Sequence, residues 1–122
     1  MQAVPAPVAR AFIDDVMRAA GLPAADAARV AELMTEADLT GADAHGIFRL
    51  PHYLRRLKAG GFNPRPTIRV NQTAPATALV DGDNGMGHLV MSRAAETAIG
   101  LVPSSGSAPP QGAMKFDADT AL

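Results

Sequence analysis

Gly21, Gly41 and the Gly60-Gly61 pair cut the first half of this chain into three segments of helical length, each with apolar residues at helical spacing. Glycine tolerates the left-handed backbone that closes a helix, so each of the three reads as a stop. In the first segment Val8, Phe12, Val16 and Ala20 recur at every fourth residue, with Arg10, Asp14, Asp15 and Arg18 elsewhere on the wheel. Pro23 suits the first turn of a second helix that runs to about Leu39, with Ala27, Val30, Leu33, Met34 and Ala37 facing inward. The short Gly21-Leu22-Pro23 joint makes these two an antiparallel helical hairpin. A third helix is expected over residues 45–59, with Ile47, Leu50, Leu54 and Leu57 as its apolar stripe. Pro51 lies inside that pattern, lacks an amide donor, and should kink or restart the helix.

Beyond Gly61 the character changes. Phe62-Asn63-Pro64-Arg65-Pro66 is extended linker, Thr67-Ile68-Arg69-Val70 alternates as a strand should, and Ala76-Thr77-Ala78-Leu79-Val80 reads as a second strand. Residues 81–87 form a tight Gly-rich turn and residues 88–99 a fourth helix. The fold class is therefore α+β: an N-terminal helical hairpin plus a third helix, then two short strands and a helix. From Leu101 onward Pro103, Pro109, Pro110, three Ser, Gly106 and Gly112 erase any period, and only Met114 and Phe116 offer anchors. The expected organisation is a helical segment over 1–61, a strand-strand-helix segment over 62–100, and a divergent, disordered tail over 101–122.

Composition limits what these elements can build. Of 122 residues 25 are alanine, and 33 apolar side chains are larger, five of them aromatic. A chain of this length forms one domain at most and buries about two-thirds of its unfolded surface. Alanine adds little transfer free energy, so the core is thin. That excludes a large autonomous enzyme and leaves a small module or a piece of something bigger. Eleven basic and 12 acidic residues are interspersed, giving a net charge of −1. Only Arg55-Arg56 with Lys58 forms a basic group, too little for a nucleic-acid footprint. The absence of cysteine excludes a disulfide scaffold, a cysteine zinc site and a thiol nucleophile. No stretch approaches the ~18 apolar residues of a membrane span, and the N-terminus lacks a signal-like apolar region, so a cytoplasmic location is expected.

Two stretches could carry chemistry. If residues 45–59 were one helix, His45, Arg49, Tyr53 and Arg56 would fall within about an 80° arc, away from the apolar stripe. Histidine exchanges a proton near neutral pH, arginine grips a carboxylate through two nitrogens, and tyrosine adds a hydrogen bond. That set suits a 2-oxo or 2-hydroxy acid. Spacing alone favours the plainer alternative of a histidine near a helix start followed by solvated polar residues, because Pro51 disturbs the geometry. The second stretch holds Gly82, Gly85 and Gly87, spaced GxxGxG and not as the dinucleotide fingerprint GxGxxG. A helix N-terminus there could meet an anion, but Asp81-Gly82 and Asn84-Gly85 are ordinary turn dipeptides, which favours a structural turn. Asp38 and Asp43 flank Gly41, and capping or turn formation suits them better than an acid/base pair. Three histidines without HxH or HExxH spacing give no metal site.

The run from Glu36 through Ala37-Asp38-Leu39-Thr40-Gly41-Ala42-Asp43-Ala44-His45-Gly46-Ile47-Phe48-Arg49 to Tyr53 resembles the AD-x-x-G-x-D-S-H-G-x-x-R-x-x-x-Y signature of the malate/L-lactate dehydrogenase family. That group also includes ureidoglycolate dehydrogenases, diketogulonate reductases and cyclic-imine reductases. The likeness continues through Gly60-Gly61-Phe62-Asn63-Pro64 and residues 78–87, and covers about residues 8–100. It implies a non-Rossmann fold, of which this chain is the N-terminal portion. It also implies an NAD- or NADP-dependent transfer of hydride to or from a 2-hydroxy/2-oxo acid. His45 matches the acid/base position, and Arg49 and Tyr53 match substrate-side positions; no cofactor-binding residue is assigned. Ala44 stands where the signature has serine, so any hydrogen bond of that hydroxyl is lost. Residues 101–122 do not resemble the family's continuation, which implies a truncated part of a larger fold, incomplete and inactive alone. The rival expectation is a non-catalytic helical module that self-associates as a dimer or larger homo-oligomer.

Overall fold

A computed structural model describes residues 3–102 and, as backbone only, residues 114–116. The chain divides into two compact units, Met1–Arg65 and Pro66–Leu122. The division falls inside the extended linker read from the sequence.

In the first unit, α1 (Ala6–Ala19) and α2 (Ala24–Leu39) form the expected hairpin. The end of α1 is a complete Schellman closure: Leu22 N–H donates to the Met17 carbonyl and Gly21 N–H to that of Arg18, both at 3.1 Å. Gly21 has φ +108°, where a side chain would be strained. The same pair of bonds closes α2 through Gly41 and Ala42, and closes α3 (Leu50–Lys58) through Gly60 and Gly61. Pro23 caps α2 from outside its first turn.

The buried face of α1 is Ile13 and Met17, and α1 packs against α2, whose buried apolar residues are Ala27, Val30, Ala31 and Met34. Val8 and Phe12 are more than half exposed, so the row chosen from the sequence is not the inner one. Two apolar rows run side by side on α1, and periodicity cannot say which one meets the partner. Small Ala27 and Ala31 on α2 leave room for the branched and long side chains of Ile13 and Met17. On α2, Ala27, Val30 and Met34 are buried as expected, with Leu33 and Ala37 half-buried. Buried Thr35 spends its hydroxyl on the Ala31 carbonyl at 2.7 Å.

The expected single helix over 45–59 does not form. Two 3₁₀ turns, Asp43–His45 and Ile47–Arg49, precede α3. Gly46 separates them in an extended conformation (φ −92°, ψ −149°). Pro51 stands in the first turn of α3, where its missing amide has no intrahelical bond to lose. Leu50 and Tyr53 are buried, while Ile47 is not, since the helix never reaches it.

In the second unit β1 (Arg69–Ala74) pairs antiparallel with β2 (Thr77–Asp81), Val70 opposite Val80, with an irregularity between Gln72 and Ala74. The first strand starts and ends later than its sequence pattern suggests, because pairing with β2 recruits the polar Asn71 and Gln72. Ala78 and Val80 point inward and alternate with exposed Leu79 and Asp81. Val80 packs with Val90 and Ala94 of α4 (Gly87–Leu101), and Ile68 and Val70 flank them. A third strand, β3 (Met114–Phe116), pairs parallel with β2, which makes the sheet order β1-β2-β3. The two expected strands are thus present as an antiparallel pair, and this short strand from the expected tail adds to them. The open edge of β2 offers backbone groups that a chain returning from α4 can pair with. Leu101 of that tail ends α4, and apart from Val102 and residues 114–116 the rest of it lies outside the described residues.

Candidate active site

His45 ends the first 3₁₀ turn and is exposed, its amide donating to the Ala42 carbonyl at 2.9 Å. The next residue is buried: a Cβ on Gly46 would overlap the carboxylate of Asp38. That carboxylate accepts the Ile47 N–H on Oδ2 at 2.9 Å. Asp38 therefore acts across nine residues and not as the local cap or turn former that its sequence position suggested. Asp43 opens the first 3₁₀ turn, where its carbonyl receives the Gly46 N–H at 3.2 Å.

Arg49 Nε donates to the Ala44 carbonyl at 3.1 Å, which ties the guanidinium to the residue before His45. The two terminal nitrogens, the pair that grips a carboxylate, take no part in that bond. Tyr53 is 6% exposed and packs against His52 and Phe62, with ring centroids at 6.0 and 6.3 Å. Burial lifts the phenol above its ordinary pKa of 10.0, and the Arg49 charge pulls in the opposite direction. Arg56, the fourth member of the expected arc, lies over the Phe62 ring at 4.2 Å. The continuous helical edge is therefore wrong, yet Arg49 still links Ala44 to Tyr53. His45 joins them through the backbone, and no side-chain bond connects it to either among the described residues.

The chain's single tyrosine reports this arrangement directly, since there is no tryptophan. In an ultraviolet titration its phenolate should appear above the ordinary value, and Arg49→Gln should push it higher still. The unfolded chain ionises first, so stability should hold up to about pH 10 and fall as pH rises from there to the folded value.

Beside Asp38 and Ile47 an apolar cleft of about 510 Å³ opens, lined also by Val4, Val8, Phe12 and Leu39. Among the described residues no three His, Asp or Glu side chains converge as a metal site needs. None of the described helices is long and apolar enough to cross a membrane.

The Gly-rich turn is spent on the chain itself. Gly85 N–H donates to the Gly82 carbonyl at 2.9 Å, with Asp83 and Asn84 at φ 51° and 55° between them. Asp81 Oδ1 accepts the Asp83 N–H and Asp83 Oδ2 accepts the Thr67 N–H, each at 2.9 Å. Both carboxylates thus close the turn onto the chain itself, as the turn dipeptides suggested.

Sequence reasoning passed over Gly46. The available signal was a glycine inside an otherwise helix-like run, which marks a bend or a close approach.

The described residues thus set an exposed histidine on a braced turn, followed by an arginine and a buried tyrosine, on an α+β fold. A family model described as malate/L-lactate dehydrogenase matches residues 4–109, and the chain belongs to that family. The match reaches nine residues into the segment 101–122 that was expected to diverge. The chain is 44% identical over 88 residues to the L-sulfolactate dehydrogenase of Methanocaldococcus jannaschii, spanning 72% of this chain and 26% of that protein. It is 34% identical over 97 residues to the NAD(+) ureidoglycolate dehydrogenase of Escherichia coli, spanning 80% and 28%. The solved malate dehydrogenase of Pyrococcus horikoshii superimposes with a TM-score of 0.79 at 39% identity, covering 84% of this chain and 30% of that one. This chain thus spans between a quarter and a third of the length of these relatives.

Proposed function

We propose that this chain contributes the proton-transfer and carboxylate-binding part of a site that moves hydride between NAD or NADP and a 2-hydroxy/2-oxo acid. Such a cofactor supplies the hydride when bound. In reduction, His45 as imidazolium gives its proton to the carbonyl oxygen; in oxidation the neutral ring takes the hydroxyl proton. The terminal nitrogens of Arg49 hold the substrate carboxylate, and the Tyr53 phenol, protonated at cellular pH like any tyrosine, adds a hydrogen bond. The observation that carries this reading is the Ala44–Arg49 bond, which sets a carboxylate grip beside the proton-transfer residue.

The test joins residues 4–109 to the remainder of the sulfolactate dehydrogenase relative and follows NADH and NADPH oxidation over a panel of 2-oxo acids. Turnover with at least one acid is expected, and Arg49→Lys should raise its KM by about 10- to 100-fold through loss of a charge-assisted bond. Silence with every acid overturns the reading.

A second reading, self-association, has its own support. Val4, Val8 and Phe12 are 61%, 57% and 55% exposed, and Leu39 71%, around one cleft. Contiguous apolar surface of this kind drives association. Light scattering of the 122-residue chain should give a dimer or larger, and Phe12→Glu should shift it toward monomer. A monomer at high concentration removes this reading.

A further inference from the structure

Asp38 stands at an unfavourable place for its own helix. It lies in the last turn of α2, where the carbonyl end of the helix repels a carboxylate. Its main-chain oxygen already serves the helix end, accepting the Gly41 N–H at 3.2 Å. Local helix physics therefore gives the side chain no reason to be acidic. The tertiary contact does: Oδ2 accepts the Ile47 N–H, and the carboxylate fills the space over Gly46 that any side chain there would need.

The segment between α2 and α3 carries His45 with little else to hold it. Its other hydrogen bonds are short-range, from His45 to Ala42, Gly46 to Asp43, Arg49 to Gly46, and Arg49 Nε to Ala44. Those bonds shape the two 3₁₀ turns but fasten neither to α2. The Asp38 carboxylate bonds the peptide that follows Gly46, on the far side of His45 from the backbone bond of Ala42 to Ala37 at 2.8 Å. Together the two bonds hold both ends of the His45 turn against the last turn of α2.

We propose that Asp38 is a positioning residue for His45, acting through the Gly46-Ile47 peptide and not by touching substrate. The proposal rests on His45 as the proton-transfer residue for its meaning in catalysis, while its geometry stands without it. A buried glycine at position 46 is then required by the carboxylate above it.

The experiment uses the full chain and two NMR readouts, the exchange rate of the Ile47 amide and the ring resonances of His45. In Asp38→Ala the Ile47 amide should exchange at least about tenfold faster, the scale of one charge-assisted bond. The His45 ring signals should shift and broaden as the turn loosens. Val30 and Met34 amides in the buried part of α2 should keep their protection. Asp38→Asn retains an acceptor oxygen of the same reach, and should restore both Ile47 protection and the His45 signals to near wild type. That rescue separates the bond from general loosening, and serves also if the alanine variant fails to fold. Unchanged Ile47 exchange in folded Asp38→Ala overturns the clamp. Faster exchange with unaltered His45 signals, or no rescue by asparagine, overturns the positioning role. Failure of the dehydrogenase reading shows separately, as absent turnover, and leaves both NMR readouts as they are.

Discussion

Replacing His45 with alanine is expected to lower turnover of the chimeric dehydrogenase by roughly 10²- to 10⁴-fold, the range that positioned proton transfer contributes. The fold should not notice. His45 is exposed, and the bond it makes in the turn uses its backbone amide, so thermal stability should stay within about 0.5 kcal/mol of the parent. Steady-state kinetics together with a melting curve check both halves. A large kinetic loss on an unchanged melt assigns the imidazole to chemistry. Equal turnover of parent and variant would remove His45 from the mechanism, whatever else the segment does. Because Arg49 is anchored to the Ala44 carbonyl and not to the ring, the substitution leaves the carboxylate grip in place. The loss should therefore fall on kcat, with KM little changed.

Gly46→Ala should cost about 3 kcal/mol of stability in the first unit, at the upper end of what an added methyl group does to a packed site. The methyl would enter the space of the Asp38 carboxylate, so either the side chain turns away and abandons the Ile47 amide, or the 3₁₀ turns shift. Neither relaxation is free. The double variant Gly46→Ala with Asp38→Gly removes the obstacle, and should lose less than the two single changes summed. Chemical denaturation of all four proteins measures that coupling, and strict additivity would show that the two residues do not compete for one space.

The glycine stops were legible because a helix end is a local event. Gly21, Gly41 and Gly60 each donate to a carbonyl three residues back and the residue after each to one five back, and such short spans are written in the sequence itself. The choice between neighbouring apolar rows on α1 was not legible, since Ile13 and Met17 are selected by the small surface of α2 and not by their own spacing. The start of α3 was half legible: Pro51 announced a restart, and Gly46 hid inside a pattern that otherwise counted as helical. The family motif named His45, Arg49 and Tyr53, but the single-helix geometry assumed for them fails at Gly46. What replaces it is an Asp38 contact over nine residues and an arginine that folds back onto its own loop. The third strand pairs Ala78 with Met114, and no local pattern of three residues could reveal a partner so far away.

That long-range pairing sets the two units apart in time. Every helix end in the first unit is closed by residues that follow within three positions of its last, so order there can grow as the chain is synthesised. The sheet of the second unit must wait for Met114–Phe116 to arrive after α4 before β2 has both neighbours. Until then its backbone edge is open to any strand nearby, including the same edge on another nascent copy. For this chain the hazardous interval of biosynthesis lies between the completion of Asp81 and the emergence of Phe116.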